Sequence, residues 1–88
     1  MVVLALENRN ASEARIFLRG DAPRKELTRI MSESVDVVTF RWSTGVPLVV
    51  EVELVTGERY RLPPRHIRSG EQLRLIIAPD LRRSDFAR

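Results

Sequence analysis

At 88 residues the chain is a single domain: a chain this long buries roughly 65% of its unfolded surface on folding, and no second domain fits. Apolar residues make up 43% and charged residues 31%, too hydrophobic for intrinsic disorder, and with no cysteine there are no disulfides, zinc–thiolate sites, iron–sulfur clusters or cysteine nucleophiles. The 15 basic residues, all Arg except Lys25, against 12 acidic ones leave a net charge of only +3, so the pI near 10.5 reflects the guanidinium pKa and does not by itself argue for nucleic acid.

MVVLAL opens the chain without a basic leader region or cleavage site, and it is far too short to span a bilayer. Read as it stands, the chain is cytoplasmic, or it is an envelope or secreted protein whose leader has been removed. From Val2 onward the apolar positions mostly alternate with period two, the mark of half-buried strands. Val2, Leu4 and Leu6 share one face of VVLALEN, and Ala14, Ile16 and Leu18 share one face of EARIFLR, with the turn-forming NRNAS between. Asn10-Ala11-Ser12 matches the glycosylation sequon, which matters only in a eukaryotic secreted chain.

DAPRKELTRIMSES carries two patterns. Strand is the favoured reading, while Leu27, Ile30 and Met31 also have helical spacing, and Asp21 with Pro23 suits a helix start. The alternative is therefore a single helical turn or short helix near residues 22–32. SVDVVTFRW then turns Val38, Phe40 and Trp42 inward and leaves Val35 and Val37 on the other face, which predicts a bulge near Val37-Val38 or burial of both faces.

Leu48, Val50, Val52 and Leu54 alternate with Val49, Glu51, Glu53 and Val55 in the most regular strand of the chain. Beyond Thr56-Gly57 the shared core requires Tyr60 and Leu62 to point inward. Setting Leu54 against Tyr60 and Val52 against Leu62 places Glu53 opposite Arg61 and Val55 opposite Arg59, which needs a longer loop or a bulge. Pro63-Pro64 fixes a rigid crossing between strands or sheets. Leu73, Leu75 and Ile77 form the last inward row, Pro79-Asp80 stops it, and residues 80–88 follow as a polar basic tail. Strands at this spacing fit a β-sandwich or a small barrel; the expected fold is an all-β, antiparallel, immunoglobulin-like sandwich of about seven short strands.

The arginine-rich stretch from 55 to 75 is the candidate contact surface: Arg59, Arg61, Arg65, His66, Arg68 and Arg74. Strand parity makes Arg59, Arg61 and Arg74 a solvated face with acidic neighbours, each exposed pair worth at most about 1 kcal/mol. Arg65, His66 and Arg68 lie in a turn where parity makes no prediction. A lone histidine supplies one metal ligand at most, and no second His or Cys accompanies it. There is no GxSxG elbow and no glycine-rich phosphate loop. Glu51 and Glu53 flank Val52 on one outward face, whereas glycosidase carboxyls oppose each other across a cleft about 5 to 9 Å wide. The chain reads as non-enzymatic, with no catalytic, cofactor or metal site.

ENRN, EARIFLRG, VVTFRW, PLVVEVELVTGERYRLPP and IRSGEQLRLIIAPDL, in that order, resemble small uncharacterised bacterial envelope or secreted proteins with an immunoglobulin-like β-sandwich. The likeness spans nearly the whole chain, with Ser69-Gly70 where such domains tend to show Pro-Gly. It implies no catalytic residues, and the expected function is a structural or protein-interaction module. The expected partner is a protein or another copy, engaged through the first strand (2–7), the last strand (72–78) or the termini. The alternative is a small-barrel nucleic-acid binder using the 59–74 arginines.

Overall fold

The computed structural model describes residues 1–20 and 23–87. The strands are β1 (Val2–Asn8), β2 (Ala14–Arg19), β3 (Lys25–Ile30), β4 (Val35–Phe40), β5 (Val49–Leu54), β6 (Arg59–Arg61), β7 (Gln72–Ile77) and β8 (Asp85–Ala87), with one 3-10 turn at Leu81–Arg83. They form two four-stranded sheets: sheet A in the order β4-β1-β7-β8 and sheet B in the order β3-β2-β5-β6. The expected all-β sandwich is what forms, as an open sandwich and not a closed barrel. Every ladder is antiparallel except β1–β7, which runs parallel. The architecture is shared with immunoglobulin domains, but the connectivity differs: β1 and β2 lie in different sheets, whereas the first two strands of an antibody constant domain share one.

Period-two patterning places the core. Val2, Leu4 and Leu6 of β1, Ala14, Ile16 and Leu18 of β2, Val50, Val52 and Leu54 of β5, and Leu73, Leu75 and Ile77 of β7 are all buried between the sheets. Fully burying one aliphatic side chain stabilises by about 1.5–3 kcal/mol, so a one-residue slip that turned any of these rows outward would cost more than the surface ion pairs could return.

Several expectations change. Residues 25–30 form the strand of the favoured reading, and it is the alternative short helix that falls: Ile30 is buried opposite Ala14 and Leu27 packs on the core, while Met31 is exposed. Asp21, the cap of that alternative helix, and Ala22 lie outside the described residues. β4 runs without a bulge, in continuous register from Val2↔Phe40 to Glu7↔Val35, and Val35 and Val37 are exposed. The hairpin after β5 pairs Val52 with Tyr60, Glu51 with Arg61 and Glu53 with Arg59, two residues from the expected register. A three-residue loop makes the difference. Leu54 accepts from the N–H of Gly57 at 2.8 Å, Gly57 takes φ +95°, and Leu54 N–H donates to Glu58 at 2.8 Å, a turn followed by a glycine bulge. Tyr60 and Leu62 keep their inward side. Pro63-Pro64 does not itself cross between sheets: Leu48 and Arg65 still exchange hydrogen bonds of 2.8 and 2.9 Å beyond it, so the crossing lies in residues 66–71.

The polar tail belongs to the domain. Leu81 is buried, Ser84 Oγ accepts from Ala78 N–H at 3.0 Å, and Asp85–Ala87 pairs with β7 as an eighth strand. As a result neither β1 nor β7, the expected edges, is an edge at all. Both are interior strands of sheet A, and the free edges are β4 and β8 in sheet A and β3 and β6 in sheet B.

Two buried asparagines hold the first crossing. Asn8 donates to the carbonyls of Ser12, Ile30 and Met31 at 3.0, 3.3 and 3.1 Å, and its Oδ1 accepts from Asn10 N–H at 2.9 Å. Asn10 donates to the carbonyls of Ala78 and Pro79, both at 3.1 Å, and accepts from Ser12 N–H. Thus ENRN ties the β1–β2, β3–β4 and β7–β8 connections at one end of the sandwich. Because the Asn10 amide is buried and occupied, the sequon is closed to modification in the folded protein.

Candidate functional site

The six candidate residues do not form one surface. Arg59 and Arg61 project from the outer face of sheet B, Arg74 from the outer face of sheet A, and Arg65, His66 and Arg68 lie in the segment that joins them. Arg74 donates to Glu7 at 2.6 Å, and that bond, followed by the one from Arg9, holds the Glu7 carboxyl below its usual pKa. In the joining segment Glu71 organises the turn. It accepts from Arg68 N–H at 3.0 Å and from Arg65 Nη2 at 3.4 Å, which lowers its pKa, the backbone donor first. The Arg65 guanidinium lies 5.1 Å from the centroid of Phe86, and His66 is exposed. Among the described residues no group of three His, Cys, Asp or Glu stands together as a metal site, and no helix is long and apolar enough to cross a membrane.

The outer face of sheet B adds Arg15, Phe17, Arg19 and Arg24 to the Arg59, Arg61, Glu51 and Glu53 that strand parity had already turned outward. Outward Glu51 and Glu53 of β5 lie between Arg15 and Arg19 on one side and Arg59 and Arg61 on the other, with Arg24 reaching over them. Glu51 faces Arg19, Arg24 and Arg61 at 3.3, 3.0 and 3.0 Å; Glu53 faces Arg15, Arg24 and Arg59 at 3.7, 3.0 and 3.2 Å. Phe17 shares this face. It is buried but stands outside the core cluster, roofed by the Arg24 guanidinium at 3.6 Å and flanked by that of Arg15 at 5.1 Å. The signal was present in the sequence: in RIFLR an aromatic occupies outward parity between two arginines. Including the neighbouring Glu26 and Arg29, six arginines meet three glutamates. The surplus of three equals the net charge of the whole chain, since the other nine basic and nine acidic residues cancel. Five guanidiniums carry about 25 N–H donors, while Glu51 and Glu53 offer about eight acceptor positions, so donors outnumber the acceptors those two carboxylates supply.

Sheet A presents a different outer face. Val3, Ala5, Val35, Val37 and Ile76 share it, broken by the Glu7–Arg74 pair. Val35 and Val37 are 75% and 62% exposed, on an edge strand. Asn8 N–H donates to Ser34 O at 2.8 Å, so even-numbered residues of β4 bond to β1 and the backbone groups of Val35, Val37 and Thr39 point away from the sheet. Among the described residues only Val37 N–H finds a partner there, the Asp36 carboxylate at 2.8 Å. Beside β4 a cleft of about 480 Å³ opens between β3 and β4, walled by Leu18, Leu27, Phe40 and Trp42. Trp42 is fixed by its Nε1–H bond to Val46 O at 2.7 Å and by an edge-on contact with Phe40.

No family model, curated protein or solved structure matches the chain. The geometry of the two outer faces therefore carries the functional argument.

Proposed function

We propose that the chain is a non-enzymatic protein-interaction module that self-assembles through the outer face and free edge of sheet A. The observation that carries this reading is the pair Val35 and Val37, exposed on an unpaired edge strand that continues into an apolar sheet face. Free edges with apolar outward residues invite another chain, and folds that avoid association usually place Lys or Pro there. The resemblance to small bacterial envelope or secreted domains adds the cellular setting and nothing about residues.

Sedimentation over a wide concentration range tests the reading. Association that disappears in Val35→Lys supports it. A monomer at every concentration, or association indifferent to that charge, overturns it.

A second reading is an anion-binding face on sheet B, favoured by the three-charge surplus and by Phe17 stacked beneath Arg24. It differs from the expected nucleic-acid surface, since Arg59 and Arg61 would contribute and Arg74 faces the other way. Retardation of single-stranded nucleic acid at about 50 mM salt, steeply weakened by more salt, would support it. No retardation under those conditions would remove it.

A further inference from the structure

Which segment of a partner fits the β4 edge follows from its own sequence. We propose that a second copy of this chain pairs antiparallel along β4, about a two-fold axis at Val37, joining two A sheets into one of eight strands. The inference rests on the self-assembly reading and specifies its partner and register.

Only Val35, Val37 and Thr39 aim backbone groups at the edge, so a two-fold antiparallel ladder must pair odd residues with odd residues. Few registers remain. A centre at Asp36 sets Asp36 against its own copy, a like-charge contact that destabilises a ladder. A centre at Val38 sets Val35 against Arg41 and shortens the valine contact. A centre at Val37 pairs Val37 with Val37 and Val35 with Thr39 on the outward face, and it keeps Asp36 clear of its copy, opposite Val38. The same register brings Arg41, one residue past the end of β4, toward Glu33 of the other copy, which sits in the turn before β4 at φ +54°, twice by symmetry. Neither Glu33 nor Arg41 has an ion-pair partner among the described residues, so the edge carries complementary charges that those residues leave unmatched. On pairing, Val37 N–H exchanges the Asp36 carboxylate for a carbonyl of the other copy.

Disulfide trapping tests the register, because the chain has no cysteine of its own. A hydrogen-bonded antiparallel pair sets its Cα atoms about 5.5 Å apart, within disulfide reach. Val37→Cys should oxidise to a covalent dimer. Val35→Cys and Thr39→Cys should each stay monomeric alone and cross-link when mixed. Glu33→Lys should weaken association roughly five- to tenfold, and adding Arg41→Glu should restore it. All these positions are surface-exposed, and an unchanged urea midpoint in the reduced variants verifies the fold.

If the wild type associates and Val35→Lys abolishes this, yet Val37→Cys does not cross-link, the register is wrong and the self-assembly reading stands. Self-cross-linking of Val35→Cys would also overturn the Val37 axis. A wild type that never associates sinks both.

Discussion

The guanidinium carbon of Arg24 lies 3.6 Å from the centroid of the Phe17 ring, on the outer face of sheet B. Phe17 is thereby buried although it points away from the core, and the same guanidinium reaches both Glu51 and Glu53. One side chain thus shields an aromatic ring and bridges two carboxylates. It stiffens the face that carries the chain's surplus charge.

Arg24→Ala should therefore lose about 1 kcal/mol or slightly more, combining a cation–π contact with the cover its stem gives Phe17. Arg24→Lys should recover only part of it, because an ammonium neither stacks nor bridges as the planar fork does. Urea unfolding monitored by circular dichroism measures both. A Lys variant as stable as the wild type would mean that stacking contributes nothing.

Asn8→Ala should be among the most destabilising single changes, by about 3 kcal/mol. It strips hydrogen bonds from three carbonyls and from Asn10 N–H around a side chain that is itself buried, and the Ile30 carbonyl and Asn10 N–H, the buried partners, carry the largest desolvation cost. The expected result is a lower urea midpoint with an unchanged slope. A loss under about 1 kcal/mol would show that the connections do not depend on this side chain.

Gly20→Ala tests the seat of Trp42. A Cβ at Gly20 would lie 2.7 Å from two atoms of the indole ring, so the ring must move or the turn must shift. Overpacking of that kind costs about 1–3 kcal/mol. As Trp42 is the only tryptophan, its emission should change along with the midpoint. A variant with native emission and native midpoint contradicts the close approach.

Acid should destabilise the fold. Arg74 lowers the pKa of Glu7, Arg15 that of Glu26, and the backbone N–H groups of Arg68 and Arg82 those of Glu71 and Asp80. A carboxyl whose folded pKa lies below its unfolded value takes up its proton first in the unfolded chain. Its contribution is complete above the unfolded value, about 4, and is lost as pH falls through the folded one. Urea midpoints should be flat down to about pH 5 and fall below it, with a shallower fall in Glu71→Gln. A midpoint that rises on acidification would reverse the sign.

Strand parity in the sequence already contained most of the core. The inward rows of β1, β2, β5 and β7 are the alternating sets read from VVLALEN, EARIFLR, PLVVEVEL and QLRLII, because alternation is a local property that burial on one face enforces. The candidate site was far less legible. Arg59, Arg61 and Arg74 are near neighbours in sequence, yet β6 and β7 belong to different sheets and send them to opposite outer faces. Val35 and Val37 were visible as a second apolar row, but periodicity alone does not say whether such a row is buried or bare.

The sequence by itself determined the class of fold, the inward faces of β1, β2, β5 and β7 and the absence of cysteine chemistry, since these follow from composition and from the two-residue repeat of extended backbone. Tertiary structure decided which strands are neighbours. That choice made β1 and β7 interior, left β4 as a free edge, turned the polar tail into β8 and gathered six arginines around three glutamates. Pairing between strands distant in the chain depends on how whole rows of side chains fit across the core and on the geometry of single turns such as that at Gly57, which a local pattern does not encode.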